Sequence, residues 1–253
     1  MTLPRTFLDR PLAHRGLHDL SAGVVENSMA AFEAAADAAY GIELDVQISA
    51  DGVPVVFHDH TLDRVTDRTG PVNALTVETL GKTRLAGSDD TILTLEQVLD
   101  QLGNRTPVVV EIKDQSDSAL AGAALDQETG RVLRAARDRH GSDVAVMSFN
   151  PQYIVGLSWL GEDIPRGITS GTIDDYATDL PEQVRRDLAA NLYYEAAGAG
   201  FVSHNHRDLA NPRIAELKAR GAAILCWTVR NASEAKTALR IADNITFEGF
   251  RPA

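Results

Sequence analysis

The chain has 253 residues, 44% of them hydrophobic, and a formal net charge of −12. This length is close to the limit for one hydrophobic core and matches a (β/α)8 barrel, so we expect one domain spanning residues 1–253. The negative net field argues against nucleic acid and stable membrane association as partners. With one cysteine, no signal-peptide pattern and no apolar run long enough to span a membrane, the sequence predicts a soluble cytoplasmic protein.

Short β-branched runs alternate with Ala-rich helical segments along the chain, which is typical of a parallel α/β fold. We predict a (β/α)8 TIM barrel whose eight strands lie near residues 12–14, 42–46, 108–112, 144–148, 166–169, 200–204, 223–228 and 244–248. Residues 53–58 would be the returning arm of a β-hairpin after strand 2, because a two-residue connection cannot make the crossover that parallel strands need.

Residues typical of helix starts and ends support this alternation. Asn27 is predicted to cap a helix that reaches about Ala39, and Asn231 to cap one through Ile241. Two further caps precede a proline at the first helical position, namely Asn150-Pro151 and Asn211-Pro212. Residues 61–105 form a small insertion, in which we expect a short helix after Thr76 and a second opened by the Thr94 and Gln97 capping box and closed by Gly103.

The segment from Gly41 to His60 contains the most informative residues. Glu43 and Asp45 are two apart in an apolar run, so in a strand both side chains leave the same face. Asp51-Gly52 predicts a two-residue hairpin turn, which would set Asp45 opposite His58. The sequence therefore predicts a Glu, Asp and His cluster.

Candidate groups also fall at other strand ends, where the active sites of such barrels form. The first strand ends in His14-Arg15-Gly16, the third carries Glu111 and Lys113 on one face, and the seventh ends at Trp227. Like charges in an apolar run are costly unless something compensates them, and a divalent cation would do so. Carboxylates without a nearby cysteine suit Mg²⁺ or Ca²⁺.

Seven motifs in one order carry a resemblance to a known family. They are His14-Arg15-Gly16, Glu26-Asn27-Ser28, Glu43-Leu44-Asp45, Val55 to Asp59, Glu111-Ile112-Lys113, Ser148-Phe149 and Trp227-Thr228-Val229. With these motifs the chain resembles the glycerophosphodiester phosphodiesterases, barrel enzymes of the phospholipase C-like group. The resemblance implies metal-dependent hydrolysis of a small-molecule glycerophosphodiester to sn-glycerol 3-phosphate and an alcohol, with a place in lipid and glycerol metabolism.

The resemblance also implies roles for individual residues. Glu43, Asp45 and Glu111 would hold one divalent cation, Mg²⁺ or Ca²⁺. His14 and His58 would be the acid and base pair, in an order the sequence leaves open, and Arg15 and Lys113 would contact the phosphate.

The remaining assignments have structural alternatives. Phe149 and Trp227 would line the substrate pocket, or else pack only against their neighbours. Glu26 would support the site by holding Arg15 or the helix start. Lys113 would otherwise pair with Glu111. The closing segment from Thr246 to Pro252 departs from the Thr-Asp-x-Pro usual in the family, which leaves the contacts of its Glu248 open.

Two other functions stay open. One is a lysophospholipase D-like phosphodiesterase, which would need an apolar surface or amphipathic helix that the sequence does not make evident. The other is a phosphate-ester-binding barrel without catalysis, which would lack at least one histidine or ligand. The alcohol head group and the oligomeric state are not predicted.

Overall fold

The computed structural model describes residues 3–114 and 119–252. Within these ranges nine strands form one sheet: β1 (Leu12–His14), β2 (Gly41–Ile48), β3 (Pro54–Val56), β4 (Val108–Ile112), β5 (Val144–Ser148), β6 (Arg166–Ser170), β7 (Phe201–Asn205), β8 (Ala223–Val229) and β9 (Asn244–Phe247). All are parallel except β3, and β1 pairs with both β2 and β9, which closes an eight-stranded barrel. The predicted (β/α)8 barrel and its strands are confirmed.

Helices connect the strands in the order that the alternation predicted. They are α1 (Met29–Asp37), α2 (Val77–Leu80), α3 (Leu95–Leu102), α4 (Ala119–His140), α5 (Pro151–Gly156), α6 (Glu182–Ala189), α7 (Pro212–Ala219) and α8 (Ala232–Ala238). Short 3-10 helices lie at Arg5–Phe7, Leu20–Ala22, Val72–Ala74, Ser158–Leu160, Ile173–Asp175 and His206–Asp208. None of the helices in the described part of the chain combines the length and apolarity that a bilayer crossing needs.

Most predicted helix starts are confirmed. Asn150, Asn211 and Asn231 cap their helices, and Thr94 with Gln97 forms a capping box. The prediction for α1 was wrong by one residue: the hydroxyl of Ser28 accepts the hydrogen bond from Ala31 N, while Asn27 has a left-handed φ of 55°. Helix α8 also ends at Ala238, three residues before Ile241.

The hairpin register is a second correction. In the observed pairing, Val46 faces Val56 and Gln47 faces Val55, so Asp45 lies opposite Phe57 rather than His58. The turn has three residues, not two, because Ser49 N donates to Val53 O and Gly52 adopts φ +82°. Three-residue hairpin loops commonly end with a left-handed residue of this kind. His58 therefore lies beyond the paired strand.

Strand residues alternate between two apolar layers. One set packs against the surrounding helices, as Leu44 and Val110 do, and the other fills the barrel interior, as Leu12, Val109 and Met147 do. Glu43, Asp45 and Glu111 belong to the second set by strand periodicity. The interior is therefore apolar at the bottom and acidic toward the carboxyl ends of the strands.

The insertion after β3 has its own apolar core over the hairpin. Its buried members include Phe57, Leu62, Leu80, Leu85 and Ile92. Burying these side chains contributes on the order of 1.5–3 kcal/mol each relative to exposed ones. The insertion is thus packed against β3, and this fixes the segment that carries His58 to Arg64.

Candidate active site

Parallel strand pairing brings the charged side chains together. In the register of β1 with β2, His14 is the neighbour of Glu43, and in the register of β2 with β4, Asp45 is the neighbour of Glu111. Neighbouring strands lie about 4.8 Å apart, so side chains on the same face of adjacent positions meet. The sheet alone therefore assembles an acidic cluster beside a histidine.

The acidic cluster consists of Glu43, Asp45 and Glu111. One carboxylate oxygen from each lies within 4.8 Å of the others, and the residues are 2%, 1% and 6% exposed. Burial and the charges of Asp45 and Glu111 raise the pKa of Glu43 well above its usual value. Three buried carboxylates are stable together only with positive charge nearby.

Part of that positive charge comes from the chain. Lys113 Nζ lies 2.9 Å from Asp45 Oδ1 and donates to Glu111 Oε1 at 2.5 Å, and Arg15 Nε lies 3.4 Å from Asp45 Oδ2. Burial alone would raise the pKa of Asp45, but Lys113, His58 and Arg15 hold it far below its usual range. Because all the potential metal ligands in the acidic cluster are carboxylate oxygens close to one another, the cluster fits a hard divalent cation.

Each of the two predicted histidines contacts a carboxylate through Nδ1. His14 Nδ1 donates to Glu248 Oε2 at 2.7 Å, and this hydrogen bond lowers the pKa of Glu248 to about 2. His58 Nδ1 donates to Asp59 Oδ1 at 2.6 Å. Since a carboxylate accepts, Nδ1 of each ring carries a proton, and Nε2 is the nitrogen that can gain or lose one. His14 Nε2 lies 4.0 Å from Glu43 Oε2.

The surroundings of His58 keep it neutral. Burial lowers the pKa of His58; Asp45 opposes this, while Lys113 and Arg15 add to it. A neutral imidazole at physiological pH can accept a proton.

A chain of ion pairs joins His58 to Arg15. Arg64 Nε and Nη2 donate to both oxygens of Asp59, at 2.7 and 3.0 Å, and Arg64 Nη1 and Nη2 donate to Glu26 at 2.8 and 2.7 Å. Glu26 in turn accepts from Arg15 Nη1 at 2.7 Å. Although burial raises it, hydrogen bonds from Arg64 and His58 lower the pKa of Asp59 to about 2. Glu26 therefore holds Arg15, one of the two alternatives that the sequence left open.

One cavity of about 320 Å³ collects these groups. Every residue that the sequence analysis placed in the site lines it except Glu26: His14, Arg15, Glu43, Asp45, His58, Glu111, Lys113, Phe149 and Trp227. Phe149 and Trp227 also pack edge to face, with ring centroids 5.5 Å apart.

Sequence reasoning missed several polar residues that line the same cavity. They are Asp175, Asn205, His206, Arg207 and Arg230. Two further residues were missed. Glu248 contacts His14, and Arg64 contacts Asp59, the partner of His58. For Asn205, His206, Arg207 and Arg230 a signal existed, since they follow barrel strands as the recognised motifs do. Arg64 lies in the insertion, away from the ends of the barrel strands, and no comparable sequence signal marked it.

Comparisons with known proteins give the relatives of the chain. A family model described as the glycerophosphoryl diester phosphodiesterase family matches residues 14–243. Glycerophosphodiester phosphodiesterase 1 of Homo sapiens is 37% identical over 169 residues, which cover 62% of this chain and 48% of that protein. The protein YhdW of Bacillus subtilis is 28% identical over 232 residues, with 88% and 87% covered. The chain spans less than half the length of the mammalian relatives it matches.

Solved structures share the fold. A phosphodiesterase of Oleispira antarctica, in complex with the product sn-glycerol-3-phosphate, has a TM-score of 0.70 and 23% identity, covering 94% of this chain and 92% of that one. At this identity the likeness establishes the barrel architecture.

Proposed function

The chain belongs to the glycerophosphoryl diester phosphodiesterase family, and on this premise we propose that it hydrolyses glycerophosphodiesters to sn-glycerol 3-phosphate and an alcohol. The observation that carries the proposal is the pair of histidines, each held through Nδ1 by a carboxylate, in one cavity with three buried acids.

The histidines do the proton transfers. Splitting a phosphodiester requires a base that deprotonates the attacking oxygen and an acid that protonates the leaving alkoxide. Because Glu248 and Asp59 fix the proton on Nδ1, each Nε2 is the atom that exchanges a proton with the substrate or the attacking oxygen. One ring acts as base through an unprotonated Nε2, and the other acts as acid through a protonated Nε2 that gives its proton to the leaving alkoxide; each transfer contributes on the order of 10²–10⁴ in rate.

The cationic side chains bind the phosphate. Arg15 is held by Glu26, and Lys113 by Asp45 and Glu111, so both present fixed charge at the cavity. The acidic cluster has a separate role: Glu43, Asp45 and Glu111 would hold Mg²⁺ or Ca²⁺.

When bound, such a cation supplies Lewis-acid stabilisation of the charge that develops on the phosphoryl oxygens. The protein acts on a small-molecule substrate in the cytoplasm, within lipid and glycerol metabolism.

Release of sn-glycerol 3-phosphate from glycerophosphocholine tests the function. Wild-type enzyme with Mg²⁺ or Ca²⁺ is expected to release it, and His58→Ala to lose at least about 10²-fold in kcat with an unchanged circular dichroism spectrum. His140→Ala is the matched control, since His140 lies at the end of α4 and pairs with Asp100. Wild-type turnover in His58→Ala would remove His58 from catalysis; no turnover by wild type on any glycerophosphodiester would leave a phosphate-ester-binding barrel.

A further inference from the structure

A second cavity, of about 330 Å³, adjoins the active-site cavity. The two share Phe149 and Asp175 in their linings. Phe149 packs edge to face on Trp227 of the first cavity and, with a centroid distance of 5.7 Å, on Tyr176 of the second. Phe149 therefore lies at the boundary of the two cavities, with one aromatic neighbour on each side.

The second cavity differs in chemistry from the first. Besides the shared residues it is lined mainly by apolar and aromatic side chains, which are Pro151, Tyr176, Ala177, Leu180, Val184, Leu188 and Tyr193. The active-site cavity carries polar groups beyond those of the metal cluster, including Asn205, Arg207 and Arg230. Glycerol hydroxyls lose hydrogen bonds when buried without partners, so they belong in the polar cavity.

Helix α6 forms the outer wall of the second cavity. No residue of α6 is buried, and Val184 and Leu188, which are four residues apart and so share one face, remain half exposed at the cavity. An apolar helix face left partly open to water gains free energy when an apolar ligand covers it.

We propose that this second cavity is a subsite for an alkyl chain on the leaving alcohol of the substrate. The inference rests on the proposed function: with phosphate at Arg15 and Lys113 and glycerol in the polar cavity, the other ester substituent is the one left to occupy the adjoining second cavity. The substrate class is then a glycerophosphodiester whose alcohol carries an apolar chain. The volume of the second cavity, about 330 Å³, lies at the lower end of the range for small-molecule sites, which suits a single alkyl chain.

The experiment uses sn-glycero-3-phospho-n-alkanols with two, four and eight carbons, below their micellar concentrations, on the metal-loaded enzyme. The kcat/KM of the octyl ester is expected to exceed that of the ethyl ester at least about tenfold, since each fully buried methylene contributes roughly fourfold. Leu188→Gln and Val184→Trp are expected to remove most of this advantage and to leave the ethyl ester unchanged. Leu239→Gln is the matched control, because Leu239 is an exposed leucine outside both cavities.

Two results would overturn the subsite: equal kcat/KM along the series in wild type, or an octyl preference that Leu188→Gln and Val184→Trp leave intact. A third contrary result is a kcat/KM that is higher for 1-octanoyl-lysophosphatidylcholine than for glycerophosphocholine but does not rise along the alkanol series. The chain would then bind on the glycerol side, which contradicts the proposed subsite. If no ester is hydrolysed, the proposed function fails. The subsite is then judged separately by calorimetry with n-alkyl phosphates, whose affinity must rise with chain length in wild type and not in Leu188→Gln.

Discussion

At the scale of single residues, the carboxylate that accepts from His14 Nδ1 lies outside the seven motifs that carry the family resemblance. Glu248 follows β9 in the closing segment, and its Oε2 accepts from His14 Nδ1 at 2.7 Å. Holding Nδ1 in this way fixes the ring tautomer and orientation. We therefore treat Glu248 as a positioning residue that acts through His14.

Glu248→Gln tests this role. We expect kcat on glycerophosphocholine to fall about 10- to 100-fold, a part of the full proton-transfer contribution, with KM within about twofold. An exposed matched substitution, Glu162→Gln, should leave both constants unchanged. A rise in KM with kcat intact would mean that Glu248 serves binding instead of proton transfer.

Gly16 sets the turn that follows His14 and Arg15. It has φ +82°, and a Cβ built on it would lie 2.8 Å from the Cβ of Ala31 and 2.9 Å from its carbonyl carbon. Gly16→Ala should lower the free energy of unfolding by about 2–5 kcal/mol, from left-handed strain and overpacking together.

The control for this substitution is Gly23→Ala. Gly23 also has a positive φ, but the nearest atom beyond its chain neighbours, Gly87 O, would be 3.6 Å from the new Cβ. Only the conformational strain of about 1–2 kcal/mol should remain there. Urea denaturation measures both variants, and equal losses would show that contact with α1 does not constrain Gly16.

Much of the site's composition could be predicted from local sequence, but its internal contacts could not. Strand periodicity suffices to put Glu43 and Asp45 on one face, because that relation spans two residues. The contact of His14 with Glu248 spans 234 residues, and it depends on β1 and β9 meeting when the barrel closes. His58 shows the opposite case: a one-residue error in a local turn changed its predicted partner.

At the scale of secondary-structure elements, the insertion between β3 and β4 acts on the site through Arg64. This side chain is 47% exposed, yet it bridges Glu26 and Asp59 and so links the partners of Arg15 and His58. Exposed ion pairs contribute only about 0–1 kcal/mol to stability, so such a bridge is better explained by orientation than by stability.

Arg64→Met is expected to lower kcat/KM about tenfold while changing the free energy of unfolding by less than about 1 kcal/mol. The matched control is Arg84→Met, because Arg84 lies in the same insertion and pairs with the exposed Asp89. Steady-state kinetics and urea denaturation distinguish the outcomes. If both variants kept full activity, the ion-pair chain would have no part in positioning Arg15 or His58.

The elements that sequence reasoning missed lack the signals it used. Helix α6 begins after Pro181 without a side-chain cap, and none of its residues is buried, so neither capping nor a core-facing apolar pattern marks it. The α-helices that the structure describes with Asn or Thr caps were all predicted, whereas the capped 3-10 helices at Ile173–Asp175 and His206–Asp208 were not. The apolar face of α6 lines the second cavity, and that cavity is evident only from the three-dimensional structure.

At the scale of the whole molecule, the proposed function requires that an acidic protein bind an anionic ester. The active-site cavity is lined by equal numbers of cationic and acidic residues, namely Arg15, Lys113, Arg207 and Arg230 against Glu43, Asp45, Glu111 and Asp175. The chain itself has a net charge of −12. A divalent cation would make the cavity positive, and within a Debye length of about 8 Å this local charge outweighs the distant surface. Substrate binding and turnover should therefore both depend on the metal.

The most direct test measures sn-glycerol 3-phosphate release from glycerophosphocholine by enzyme stripped with EDTA and dialysed, with and without added Mg²⁺ or Ca²⁺. Turnover should be lost on stripping and return with the added cation in wild type, whereas Glu111→Gln, which removes one ligand charge, should recover little of it. Full turnover by wild-type enzyme verified to be metal-free would contradict a cation held by Glu43, Asp45 and Glu111.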